Sequence, residues 1–455
     1  MFVSDDKPRV VNTANLMNPM TSLSDSKAEE YRNRILKSPN FFPNAKNVYY
    51  VSQNGNDSAD GRTEGSAIRT LGALAKKKLS YGDAVLFERG GVYRGNISCD
   101  VSGIYYGAYG EGDKPCIYLS FMNFAKANWQ NEGGNIWSVE VPDPQDIGII
   151  VMNHGEKVGI KKKSMDAVKN DSDFFYNSKR VYFYSVKAPC ERWYSIEIGG
   201  LTHIFLINPG VNDITIENLT IKYGGAMAIL ALNDTKKMTV RNCEIGWIGG
   251  CFLHNYGDGT VRYGNGIEIW NGCDGVLVED CWIYQIYDSG LSHQGNGSFI
   301  EKNIIFRRNL IEYTSFASIE YWANDANKNS MENICYEDNI LRFAGYGWGD
   351  IERPDTVAYH ILSTGKMDHK CMNFKIINNI LDTSKRGLIM CTSRVGTVPE
   401  IKGNTYMQFY GGQLGSYGNV DCPTYLFDAD VDEKVKNVLG DNCANVSILG
   451  SVKLK

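Results

Sequence analysis

From residue 214 to residue 404 the chain repeats one short phrase, apolar-x-apolar-x-Asn/Asp-x-x-apolar. It reads ITIENLTI (214–221), MTVRNCEI (238–245), VLVEDCWI (276–283), IFRRNLI (305–311), ICYEDNIL (334–341) and FKIINNIL (374–381). Its Asn/Asp positions are Asn218, Asn242, Asp280, Asn309, Asn339 and Asn379, with a weaker echo at Asn404, at intervals of 24, 38, 29, 30, 40 and 25. The alternation puts one side of a strand into a core. Asn and Asp then turn the chain, because they tolerate left-handed backbone and bond to nearby peptide groups. Further short strands follow at GIEIW (266–270), SGLSHQ (289–294), SIEYW (318–322) and GLIMC (387–391). A period near 24–30 residues, built of strands and turns without a 3.6-residue rhythm, predicts a solenoid. The expected fold is all-β: a right-handed parallel β-helix whose coils stack roughly 4.8 Å apart.

The pattern divides the chain further. Residues 1–45 read as a lead-in with one amphipathic helix at 26–36. Residues 46–115 read as a helical cap and the first coils, since helices at the mouth of a solenoid typically cover its open core. Residues 116–203 break the period with short β runs such as GNIWSVEV, RVYFYSV and WYSIEIGG, and are expected to form an inserted antiparallel module. Its Lys161–Lys163 run is expected to be a solvated loop. The main β-helix is predicted over 204–425, and a C-terminal cap over 426–455.

Composition narrows the function. The 455 residues carry a net charge of −5, which disfavours nucleic acid or anionic membrane as a partner. No run approaches the length of a membrane span. The first residues lack the basic head and apolar stretch of a secretory signal, so a cytoplasmic location is expected. The 12 cysteines show no CxxC pair. They are expected to be buried free thiols, with Cys243 and Cys281 in one ladder. The turn cluster NGNDSADG lacks the Glu that an EF-hand loop needs, and no metal site is expected. The chain holds 27 Tyr and 8 Trp, a surplus that suits sugar faces as well as a core.

Aligning the second strands predicts a site. Ile267, Leu291 and Ile319 take inward parity, so Glu268, Ser292 and Glu320 form one outward column and Trp270, Gln294 and Trp322 the next. Asp288 shares the outward parity. Glu268 and Glu320, two coils apart, would lie roughly 9–10 Å from one another, near the upper end of the spacing of an inverting glycosidase pair. The outer coils carry apolar residues at these places. Two long intervals add loops expected to flank the same face. The loop at 251–264 brings Tyr256, Asp258, Arg262 and Tyr263, and the loop at 344–356 brings Trp348, Asp350, Arg353 and Asp355. The expected catalytic residues are therefore Glu268, Glu320 and Asp288. The expected substrate-binding residues are Trp270, Trp322, Gln294, His293, Arg262, Tyr263, Trp348, Asp350, Arg353 and Asp355, with His293 carrying inward parity.

The opening YYVSQNGNDSADGRT, AIRTL and GDAVLFERGGVYRG, followed by SGIYYGAYGEGDKP, resembles the start of bacterial right-handed parallel β-helix enzymes acting on polysaccharides. With the inserted module, the chain is most similar to the β-helix glycoside hydrolases of the β-xylosidase and α-fucosidase type. No family catalytic motif is present, so the site residues rest on the column alignment. The resemblance implies a glycoside hydrolase without a cofactor, and the two loops walling the face suggest a pocket, hence exo action on a small oligosaccharide. A polysaccharide lyase or uronate epimerase is the alternative, with calcium or Arg262, Arg353 and His293 serving the uronate. A noncatalytic carbohydrate-binding β-helix is the third. The partner in each case is an oligosaccharide or polysaccharide.

Overall fold

The computed structural model describes residues 20–142, 145–254, 259, 261–323, 329–363, 370–394 and 397–449. The chain is a right-handed parallel β-helix. Three ten-stranded sheets run its length among the described residues. In one coil, Lys236–Arg241 lies in the first sheet, Glu244–Ile248 in the second and Ile267–Trp270 in the third, before Asp274–Glu279 returns to the first. Ile267, Leu291, Ile319, Ile361 and Ile389 stack in register and point inward. They join one continuous core that runs from Val51 to Leu439.

The repeating Asn proves to be two adjacent columns. Asn218, Asn242, Asp280, Arg308, Asp338 and Asn378 share one register position and a left-handed backbone, with φ between 50° and 59°. The following position holds Leu219, Cys243, Cys281, Asn309, Asn339, Asn379 and Asn404. The phrase therefore misaligns by one residue between Asp280 and Asn309, where Arg308 takes the turn. From Asn309 onward the side chains form a buried ladder. Asn309 Nδ2 donates to Asn339 Oδ1 at 3.0 Å, Asn339 Nδ2 to Asn379 Oδ1 at 2.9 Å, and Asn379 Nδ2 to Asn404 Oδ1 at 3.0 Å. Asp441 ends it by accepting the Asn404 backbone N–H at 3.0 Å. Cys243 and Cys281 do share a ladder, and all twelve cysteines are free.

The short helix Leu71–Leu74 buries Leu71 and Leu74 at the open end of the core. The longer helix Asp25–Leu36 lies along the outer face of the second sheet instead. Tyr31 Oη donates to the Asp338 carbonyl at 2.9 Å, and Arg32 pairs with buried Glu312 at 2.7 Å. At the other end, Val431 and Val435 of the helix Val431–Asn437 enter the core, and Asn445–Leu449 adds the last strand of the second sheet.

Between Cys116–Tyr118 and Phe205–Ile207, both strands of the β-helix, the inserted module folds as a three-stranded and a five-stranded sheet around its own core of Trp129, Phe174, Phe183 and Trp193. Its pairing is antiparallel except where Ile160–Lys161 runs parallel to Asp173–Asn177. Lys161 is no solvated loop residue. Its ammonium is buried against Asp146 at 2.6 Å and over the Phe252 ring at 3.8 Å.

Candidate active site

The third sheet gathers the acidic residues. Leu206, Leu230, Glu268, Ser292, Glu320, Leu362 and Met390 occupy one column in register. Its acidic residues sit only on the middle rungs, next to Leu230 and Leu362, and the column ends on Ser98 and Ser416. Glu268 is 1% exposed and Glu320 7%. Asp288 enters from the turn between the second and third sheets, with its side chain 20% exposed.

Each carboxyl is held differently. Glu268 accepts from the Asn265 amide and from Gln294 Nε2 at 2.7 Å. Glu320 accepts from Ser289 Oγ at 2.9 Å. Asp288 accepts from Arg353 Nη1 at 3.1 Å, and the same guanidinium holds Asp355 at 2.9 Å. Ser292 Oγ, on the rung between the two glutamates, makes no hydrogen bond of ordinary geometry, though it bears weakly on the Glu268 carboxylate. Burial pushes Glu268 up to about 8, opposed by the Gln294 and Asn265 amides. Burial also pushes Glu320 up to about 8, reinforced by the charge of Asp288. Asp288 is itself raised by burial, with Arg353 opposing. Both glutamates thus hold protons at neutral pH, and the charge of Asp288 helps to keep Glu320 protonated.

Trp270 and Trp322 stand half-buried beside the glutamates, their rings edge-to-face with centroids 5.8 Å apart. Gln294 lies on the rung between them, and its amide serves Glu268.

The two long loops do more than flank the face. Arg262 pairs with Glu352 at 2.9 Å and donates to the carbonyls of Gly250 at 2.6 Å and Gly148 at 3.0 Å. It also packs over Tyr287 and Trp348. Glu352 in turn accepts the Lys161 backbone N–H at 2.6 Å. Hairpin, loop and inserted module are thereby locked together over Tyr287, next to Asp288.

Several expectations are corrected. Arg262 is consumed by this lock. Trp348, 2% exposed, is part of it and offers no free face to a sugar. Asp350 pairs with Lys385 at 2.6 Å. His293 is fully buried in the lumen, with Nδ1 2.6 Å from Glu301 and its ring stacked on Tyr321. As its inward parity required, it does not reach the sheet face. Arg353 and Asp355 orient Asp288. Tyr256 and Asp258 lie outside the described residues.

Sequence reasoning missed Asn265 and Ser289. Their signals are local: each ends the turn that enters a strand of the third sheet, where a short polar side chain reaches a neighbouring rung. It also missed a cleft of about 350 Å³ under the inserted module, lined by Leu206, His203 and Tyr263 among others.

No protein-family model matches the chain, and no curated protein matches it. Solved structures do. XylC in complex with xylose aligns at 13% identity with a TM-score of 0.43, over 79% of this chain and 83% of the other. GH136 lacto-N-biosidase from Eubacterium ramulus aligns at 15% identity and 0.39, over 89% and 68%. Pectate lyase Pel9A aligns at 13% and 0.33, over 80% and 74%. These likenesses are distant, and it is this chain's own side chains that bear on its chemistry.

Proposed function

We propose that this chain is a glycoside hydrolase. The observation that carries the reading is the cluster of Glu268, Asp288 and Glu320 at the sheet face, with burial and mutual repulsion keeping protons on it at neutral pH. Glycoside hydrolysis needs one carboxylic acid to protonate the leaving oxygen and one carboxylate on the other side. Glu320 is the acid: it has one hydroxyl donor and Asp288 as its principal like-charged neighbour. Glu268 is the base: two amide N–H donors favour its charged form, and because burial still pushes it up to about 8, it acts in the fraction of chains that have lost its proton, which grows as pH approaches 8. Asp288, fixed by Arg353, supplies negative charge beside the developing oxocarbenium ion. Glu268 and Glu320 are two rungs apart, roughly 9–10 Å along the stack, with Ser292 on the rung between them. That is near the upper end of the spacing of an inverting pair. The loop lock at one side of the face favours an exo mode.

The test is a panel of chromogenic aryl glycosides with wild type, Glu268→Gln and Glu320→Gln. Release of aglycone by wild type alone supports the reading. Equal rates in all three overturn the site, an unsaturated product points to a lyase, and binding without turnover on any glycan points to a noncatalytic β-helix.

A further inference from the structure

The cleft under the inserted module lies on the carboxylate column itself. Its floor residue Leu206 is two rungs from Glu268, through Leu230, and therefore roughly 9–10 Å away. Its walls come from the inserted module, through Thr202 and His203, and from the 251–263 hairpin, through Phe252 and Tyr263. Its volume of about 350 Å³ falls at the small end of ligand pockets, about 300–1,000 Å³.

Its chemistry is selective. Among the described residues lining it, none is Asp, Glu, Lys or Arg. The cations that border it are engaged elsewhere: Arg262 with Glu352, and Lys161 with Asp146. His203 Nδ1 accepts the Met227 backbone N–H at 3.3 Å. A neutral ring so fixed carries its proton on Nε2, and burial holds this histidine down to about 4. Apart from the exposed imidazole of His254, the cleft therefore offers neutral donors and acceptors, plus the apolar surfaces of Leu206 and Phe252. An uncharged sugar ring satisfies such a lining. A uronate would meet no Lys or Arg in this lining, and burying its carboxylate without such a counter-charge is costly.

We propose that this cleft binds an uncharged sugar unit of the substrate, beside the bond the carboxylates cleave, and rejects uronic acids. The inserted module is then the specificity element of the enzyme. The proposal rests on the hydrolase reading for its position relative to the cleaved bond, and its test separates the two.

The full chain carrying Glu320→Gln is applied to an array of neutral and uronate oligosaccharides. Maltotriose, cellotriose, xylotriose and trigalacturonate are then titrated calorimetrically. Binding of at least one neutral probe and not of trigalacturonate is expected. Adding His203→Phe, which removes the donor and keeps the bulk, should weaken that binding about fivefold or more. Leu206→Trp, which fills the cleft, should abolish it. Thermal melting confirms that each variant is folded. Absence of neutral binding, equal binding of the uronate, or neutral binding unchanged in both variants overturns the proposal. If binding depends on the cleft while Glu320→Gln keeps full turnover, the cleft stands and the catalytic assignment fails. If turnover is lost but binding ignores the cleft, the reverse holds.

Discussion

Glu268 and Glu320 face the same side of the third sheet, two rungs apart, and the hydroxyl between them, that of Ser292, has no hydrogen bond of ordinary geometry. Neighbouring coils place leucine or methionine in this column. The acidic residues therefore interrupt a column whose adjoining rungs are apolar, and each is buried enough to hold a proton near neutrality.

The pH dependence of stability follows in sign. Both glutamates titrate near 8 in the folded chain and near 4.3 when unfolded. Between these values the folded state binds more protons, so stability falls as pH rises, by about 1.4 kcal/mol per pH unit for each glutamate that stays protonated only when folded. Glu320→Gln should melt above wild type at pH 8, with the gap closing toward pH 4. Thermal melts across that range check this, and a pH-independent gap would contradict it.

Activity should follow a narrow bell near pH 8. Loss of the Glu320 proton lowers kcat on the alkaline side, and protonation of Glu268, itself pushed up to about 8, lowers it on the acid side. Glu268→Gln should abolish the acid limb and Glu320→Gln the alkaline one in whatever activity remains, as read from pH–rate profiles.

The lock at Arg262 should act on both stability and turnover. Arg262→Ala leaves Glu352 buried without its partner, at about 3–5 kcal/mol. Hydrogen exchange should rise in the 251–263 hairpin and the 345–357 loop together. A rise confined to one of them would show that they are not coupled through this pair.

Asn379→Ala should break the asparagine ladder. Asn339 then loses the acceptor of its amide and of its backbone N–H, and the carbonyl of Tyr336 loses a donor. Orphaned buried groups cost about 1–3 kcal/mol each, measurable by denaturant unfolding.

The repeat was legible because stacking forces equivalent residues into equal environments. Alternation fixed which of Ile267 and Glu268 faces in, and the run of second strands fixed the column. The exact phase was not legible. Asn suits both a left-handed turn and an inward ladder, so Asn218 and Asn309 look alike in sequence while occupying neighbouring columns. Arg308, in the turn position, gave no signal because arginine rarely adopts that backbone. The fates of Arg262, Trp348 and Lys161 depend on contacts between three segments more than 80 residues apart, which no local pattern encodes. His293 shows the opposite: its parity already placed it in the lumen, and the packing around Tyr321 and Tyr336 agrees.

The measurement that bears most directly on the central claim is hydrolysis of the active oligosaccharide in heavy-oxygen water, followed by mass spectrometry for wild type, Glu268→Gln and Glu320→Gln. The account expects one heavy oxygen in the newly formed reducing sugar, with rates lowered about 10²–10⁴-fold in each variant. An unlabelled, unsaturated product, or variants that label the sugar as fast as wild type, would contradict it.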